Sequence, residues 1–130
     1  FTAFMVVVDA PTREGARFDP LTGAGAVAAE LLGPSISRGN FDEQLGPEDE
    51  RLLERTRAGF LRNYPHLVDA ELVSHGYGLL DVTPERVVAE VWYSPILAPA
   101  EHETFGGGYA IERGRRRFDR ARRASPTSSP

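Results

Sequence analysis

From Phe1 to Val8 every residue except Thr2 is apolar, and the run stops at Asp9, Ala10 and Pro11. An unbroken apolar stretch bounded by turn formers predicts a buried strand already under way at residue 1. A loop dense in Pro, Gly, Asp and Thr follows from Pro11 to Gly23. Ala24 to Leu32 (AGAVAAELL) has a helical composition, but Gly25 is a poor helix residue and Gly33-Pro34 ends the run sharply. It reads better as a closely packed strand of small residues.

The clearest helix is PEDERLLERTRAGFLRNYP, with Pro47 suited to the first helical position. Glu48, Asp49 and Glu50 place negative charge at the positive end of the macrodipole, and Arg57 and Arg62 lie toward the other end. Leu52, Leu53, Thr56, Phe60 and Leu61 form one apolar stripe, so the helix from Pro47 to Arg62 should dock on a core. Asn63 suits the C-cap, and Pro65 forbids continuation.

A β-meander should follow. Its strands are Leu67–Val73, Tyr77–Val82 and Val87–Tyr93, turned at His75-Gly76 and at Thr83-Pro84-Glu85-Arg86. A further hairpin is expected from Tyr109-Ala110-Ile111-Glu112 across Arg113-Gly114 to Arg116-Arg117-Phe118. Gly106-Gly107-Gly108 between them reads as a hinge. The pattern gives an α/β chain, or α+β, of about five strands with one firm amphipathic helix and a C-terminal β-meander.

Charge divides the chain unevenly. All 15 basic residues are Arg. Residues 1–110 carry 8 Arg against 17 acids, a net of −9, and residues 111–130 carry 7 Arg against Glu112 and Asp119, a net of +5. The natural division is a body over 1–110 and an Arg-rich, partly disordered tail over 111–130, the end of which has the composition of disorder. An acidic body argues against a nucleic-acid surface, so Tyr77, Trp92 and Tyr93 read as core rather than as a base-stacking platform. The absence of Cys excludes thiolate catalysis, disulfides and sulfur-ligated zinc. No apolar run approaches the roughly 20 residues of a membrane-spanning helix.

The search for chemistry returns no catalytic constellation and no metal-ligating residues. His66, His75 and His102 do not form a helical metal-binding pair. Glu101-His102-Glu103 lies in a Pro/Gly-flanked loop with nothing to orient it. Ser35 and Ser37 fit only half of a nucleophile elbow, because Ser37 stands where the second Gly belongs. Gly106-Gly107-Gly108 lacks the strand–helix setting of a phosphate cradle.

The segment LLERTRAGFLRNYPHLVDAELVSHGYGLLDVTPERVVAEVWY carries a resemblance. With Asn63-x-Pro65-His66-Leu67, Leu80-Asp81-Val82-Thr83-Pro84-Glu85-Arg86-Val87 and the pair Trp92-Tyr93, it resembles the C-terminal part of PhoD-like alkaline phosphatases, of the calcineurin-like metallophosphatase group. AVAAELLGPSIS is similar to that family's Val-Glu-Phe-Val-Thr-Pro-Ser-Ile strand and loop, with Gly33 in place of the usual Thr. The likeness covers roughly residues 20–95.

The resemblance implies a segment of a metallophosphatase-type α/β sandwich. Phe1–Val8 and Ala24–Leu32 would share one sheet, the helix would cover a face, and the meander would continue the second sheet. It further implies a phosphatase or phosphodiesterase whose dinuclear centre, of calcium and iron, clamps the phosphoryl oxygens and activates a water. The family's ligands, including a Gly-Asp-x-His loop, would lie upstream of residue 1, in the missing N-terminal part of the same domain. This segment would then be inactive alone. Periplasmic or extracellular placement follows only from the family's use of the twin-arginine route. Loops 11–23 and 33–44 would edge the substrate pocket, and Arg38 is the one residue of the second loop whose type suits phosphate. The competing expectation is a self-contained small non-enzymatic binding domain that uses the meander face or the Arg tail.

Overall fold

A computed structural model describes residues 2–8, 18–41, 43, 50–96, 99 and 102–121. Its strands are β1 (Thr2–Val8), β2 (Ala26–Leu32), β3 (Leu67–Glu71), β4 (Gly76–Val82), β5 (Arg86–Tyr93), β6 (Thr104–Glu112) and β7 (Asp119–Ala121). The helix α1 spans Glu50–Asn63 between β2 and β3. The fold is α/β, with two antiparallel sheets ordered β2-β1-β3 and β4-β5-β6-β7.

β1 is the central strand of its sheet, as its unbroken apolar run requires. Val6 faces Ala29 of β2, and Ala3 faces both Leu32 of β2 and Ala70 of β3. The AVAAELL stretch is thus a strand paired to β1. α1 packs against β3 and ends at Asn63, while the expected start at Pro47 lies outside the described residues. Of the expected stripe only Leu53 is buried; Leu52 is exposed, and Thr56, Phe60 and Leu61 are half-buried. Phe60 meets Phe41 edge-on at 6.1 Å.

Two expectations need correction. First, the strand beginning at Leu67 does not join the meander; it pairs with β1 in the other sheet. The chain crosses between sheets over Leu72–His75. One carboxylate oxygen of Glu71 accepts the backbone N–H of Val73 at 2.9 Å and of Ser74 at 3.1 Å, which turns it there. The meander therefore runs β4-β5-β6-β7. Second, Gly106-Gly107-Gly108 is not a hinge but part of β6, which raises the strand count to seven, above the expected five. The glycines serve close approach. A Cβ on Gly106 would collide with the Tyr93 ring, and one on Gly108 would sit 3.2 Å from Ala121. Tyr109–Glu112 ends β6, and the strand that returns along it is Asp119–Ala121, just after the expected Arg116–Phe118. Residues 122–130 lie outside the described residues.

The turn expected at Thr83–Arg86 is present. The Thr83 N–H donates to the Arg86 carbonyl at 2.9 Å, and its hydroxyl oxygen accepts from Arg86 N–H at 3.1 Å. Among the described residues, Ala89, Val91 and Tyr109 form a buried cluster, with Leu31, Tyr93 and Phe118 packed on it. Leu31 belongs to β2, so this cluster joins the two sheets. Of the aromatics read as core, Tyr93 joins this cluster. Trp92 is half-buried, edge-on to Phe105 at 5.4 Å, and the Tyr77 hydroxyl donates to Glu103 at 2.5 Å.

A polar seam adds to this union. The Tyr109 hydroxyl donates to one oxygen of Asp69 at 2.7 Å, and the Arg57 guanidinium donates to the other at 2.7 Å. Arg57 also donates to the Ala70 carbonyl, fastening α1 to β3. Arg120 lies over the Tyr109 ring, 5.9 Å from its centroid.

Large apolar residues stay in solvent on both sheets. Val27 of β2 is 58% exposed, and Leu80 and Val82 of β4 are 60% and 66% exposed. All residues of β2 between its first and sixth are exposed.

Candidate functional site

The strands create a cleft where the sheet-crossing segment meets the ends of β5 and β6. Val73, Ser74 and His75 form one wall; Tyr93, Ser94, Pro95, Ile96 and Thr104 form another, with Glu43 at the rim. The volume is about 410 Å³.

The loop after β2 shapes this cleft. The Ser35 hydroxyl oxygen accepts the Arg38 N–H at 2.8 Å, closing a turn. The Ser35 carbonyl takes His75 Nδ1 at 3.0 Å and the Gly76 N–H at 3.4 Å. Asn40 is buried and donates its side-chain amide to the Ser74 carbonyl at 3.2 Å, while its N–H donates to Glu43 Oε2 at 2.5 Å. Among the described residues the Asn40 side-chain oxygen has no hydrogen-bond partner.

His75 is the most constrained titratable side chain of the cleft, its side chain only 10% exposed. A carbonyl can only accept, so Nδ1 carries the proton that Ser35 receives, and this leaves Nε2 facing Glu43 Oε1 at 3.8 Å. Burial, with Glu71 and Asp69 adding to it, pushes the Tyr93 hydroxyl up to about 12, so it remains a neutral donor. Ser74, Ser94 and Thr104 add further hydroxyls for a polar ligand.

The other candidate residues lie apart. His66 packs edge-on against Tyr64 at 5.9 Å, and His102 is exposed. Glu101 lies outside the described residues, and Glu103 accepts the Tyr77 hydroxyl. Among the described residues, no group of three or more His, Cys, Asp or Glu could hold a metal ion. Arg38 is exposed on the Ser35–Asn40 loop, outside the lining of the cleft, and its guanidinium has no hydrogen-bond or ion-pair partner among the described residues. Of the loops expected to edge a substrate pocket, residues 11–17, 42 and 44 lie outside the described residues. No helix among the described residues is long and apolar enough to cross a membrane.

The pairing of His75 with Glu43 had no signature in the sequence. Neither residue belongs to a motif, and the loop that brings them together closes over a whole helix. Compared with known proteins, the chain matches no family model, no curated sequence and no solved structure.

Proposed function

We propose that this chain is the C-terminal framework of a metal-dependent phosphatase or phosphodiesterase of the PhoD-like kind. The observation that carries the reading is the pair of open apolar faces: Val27 on β2, and Leu80 and Val82 on β4, are more than half exposed. Exposed apolar side chains on both sheets would give further protein a place to pack. The Leu80–Val87 motif that carries the resemblance spans the end of β4, the turn after it and the start of β5.

The donor set of the described residues does not fit a dinuclear metal site, so no step of the reaction is assigned to them. Calcium and iron would be held by protein outside these 130 residues. Arg38, exposed on a loop at the end of β2, is the group of this chain proposed to meet the substrate phosphate. The chain's own contribution is to hold that loop: the Ser35 turn and the His75 contact fix its start, and Asn40 fixes its end.

Equilibrium dialysis of the 130-residue chain against calcium and iron tests the assignment. The expected result is no stoichiometric uptake of either ion. Two tightly held ions per chain would overturn it.

A second reading, a small non-enzymatic binding domain, draws on the cleft around His75. Under that reading the apolar faces stay open in the working protein. Protection of Val27 and Leu80 from hydrogen exchange in a longer form of the chain, but not in this one, favours the framework.

A further inference from the structure

We infer that the turn joining β6 to β7, with the Thr22–Ala24 loop docked on it, is a binding site for a small phosphate-type oxyanion. A cleft of about 370 Å³ lies between the two loops, lined by Thr22, Gly23, Ala24, Gly114 and the run Arg115-Arg116-Arg117. The cleft exists because the loops approach closely. Gly23 has a φ of +75°, and a Cβ there would sit 2.7 Å from the Arg116 carbonyl oxygen. Gly114 has a φ of +80°, which turns the chain at the end of β6.

The arginines are held in place by neutral acceptors. Arg117 donates to the Leu21 carbonyl at 2.7 Å, and Arg116 reaches the Ala26 carbonyl at 3.5 Å. A carbonyl fixes a guanidinium without cancelling its charge. The carboxylates nearby are already shared. Glu112 pairs with Arg115 at 3.1 Å, and Asp119 lies 3.9 Å from Arg115 and 3.6 Å from Arg117. Asp19 is turned to its own loop, accepting the Leu21 N–H and the Thr22 hydroxyl proton. Residues 112–120 carry five Arg against these two acids. Arg116 has no carboxylate within ion-pair reach among the described residues.

The site thus presents positioned, incompletely neutralised planar forks beside a cleft. That chemistry suits an oxyanion able to take paired N–H donors, which is how Arg recognises phosphate. The inference is separate from the framework reading, since its arginines, Arg115 to Arg117, lie beyond residues 20–95, over which the likeness extends.

The test is a titration of the protein with inorganic phosphate at constant ionic strength, followed by the NMR signals of the arginine Nε–H groups, with chloride as the control. Saturable movement confined to Arg115, Arg116 and Arg117 is expected, with Arg55→Gln on the exposed side of α1 as a silent control. Arg116→Gln should weaken binding about tenfold, the loss expected for a charged hydrogen-bonding partner. Arg116→Lys should fall between, because Lys keeps the charge without the fork. A parallel arm presents phosphatidic acid in vesicles. Binding there, but not to free phosphate, with the same variant order assigns the phosphate to a lipid headgroup. Equal responses to phosphate and chloride with no vesicle binding, or Arg116→Gln and Arg116→Lys variants that bind like the parent, would overturn the site.

Discussion

The Tyr109 hydroxyl donates to Asp69 at 2.7 Å, and this bond, with the Arg120–Asp69 ion pair at 3.7 Å beside it, ties the sheet of β3 to the sheet of β6 and β7. Tyr109 and Asp69 are forty positions apart, and the carboxylate is also claimed by Arg57 from the helix. Tyr109→Phe removes the bond and leaves Asp69 its arginines. It should destabilise the fold by about 1–2 kcal/mol, toward the lower part of the range for hydrogen bonds to charged groups. Asp69→Ala should cost more, because it also releases Arg57. Urea unfolding of both variants checks the order, and a Tyr109→Phe protein as stable as the parent would contradict it.

Alkaline pH should act on the same region. Burial pushes the hydroxyls of Tyr93 and Tyr109 up to about 12, with the Asp69 carboxylate adding to both. An unfolded tyrosine titrates near 10. Between those values the folded state binds more protons than the unfolded one, so stability falls as pH rises. The contribution is complete below about pH 10 and is lost on passing through about pH 12. Thermal midpoints measured across that window should decline, and Tyr109→Phe should flatten the decline.

Two glycines should respond in opposite ways. A Cβ on Gly76 would run into the Trp92 carbonyl, at the first pair of the β4–β5 ladder. Gly76→Ala should cost about 3 kcal/mol or more through forced backbone movement. Gly33 has nothing within 4 Å of the corresponding position, so Gly33→Thr should change stability by no more than about 0.5 kcal/mol. Chemical denaturation of the two variants side by side checks both.

Burial sets a further contrast on neighbouring strands. Val91 is 1% exposed and Leu80 60% exposed. Val91→Ala should cost about 2 kcal/mol, whereas Leu80→Thr, which keeps strand preference, should stay within about 0.5 kcal/mol in this chain. A large cost at Leu80 in the 130-residue protein would mean that its face is already covered.

Local signals in the sequence carried the elements, and non-local pairing decided what they did not carry. The apolar run of β1, the Gly-Pro stop after β2, the helix end ahead of Pro65 and the turn at Thr83 all act over a few residues and stand where expected, whereas the helical stripe buries only Leu53. The switch of β3 into the other sheet is different. Alternation tells which residues share a face, not which strand lies alongside. Gly106-Gly107-Gly108 misled for a related reason, since their freedom answers the Tyr93 ring on another strand. The contacts of His75 with Glu43 and of Asp69 with Tyr109 join chemically ordinary residues from distant segments, and nothing near either residue announces its partner. Arg38 was legible as a loop arginine, but its loop is shaped by Ser35 and His75, a contact across forty positions.

Hydrolysis of bis-p-nitrophenyl phosphate with calcium and iron present tests the framework assignment most directly, measured on this chain and on the chain joined to the sequence encoded immediately upstream of Phe1. The account predicts no turnover by the chain alone, turnover by the joined protein, and a lower rate in the joined protein when Arg38 is changed to Ala. Sustained turnover by the 130 residues alone, or a folded, metal-loaded joined protein that leaves phosphate esters intact, would contradict it.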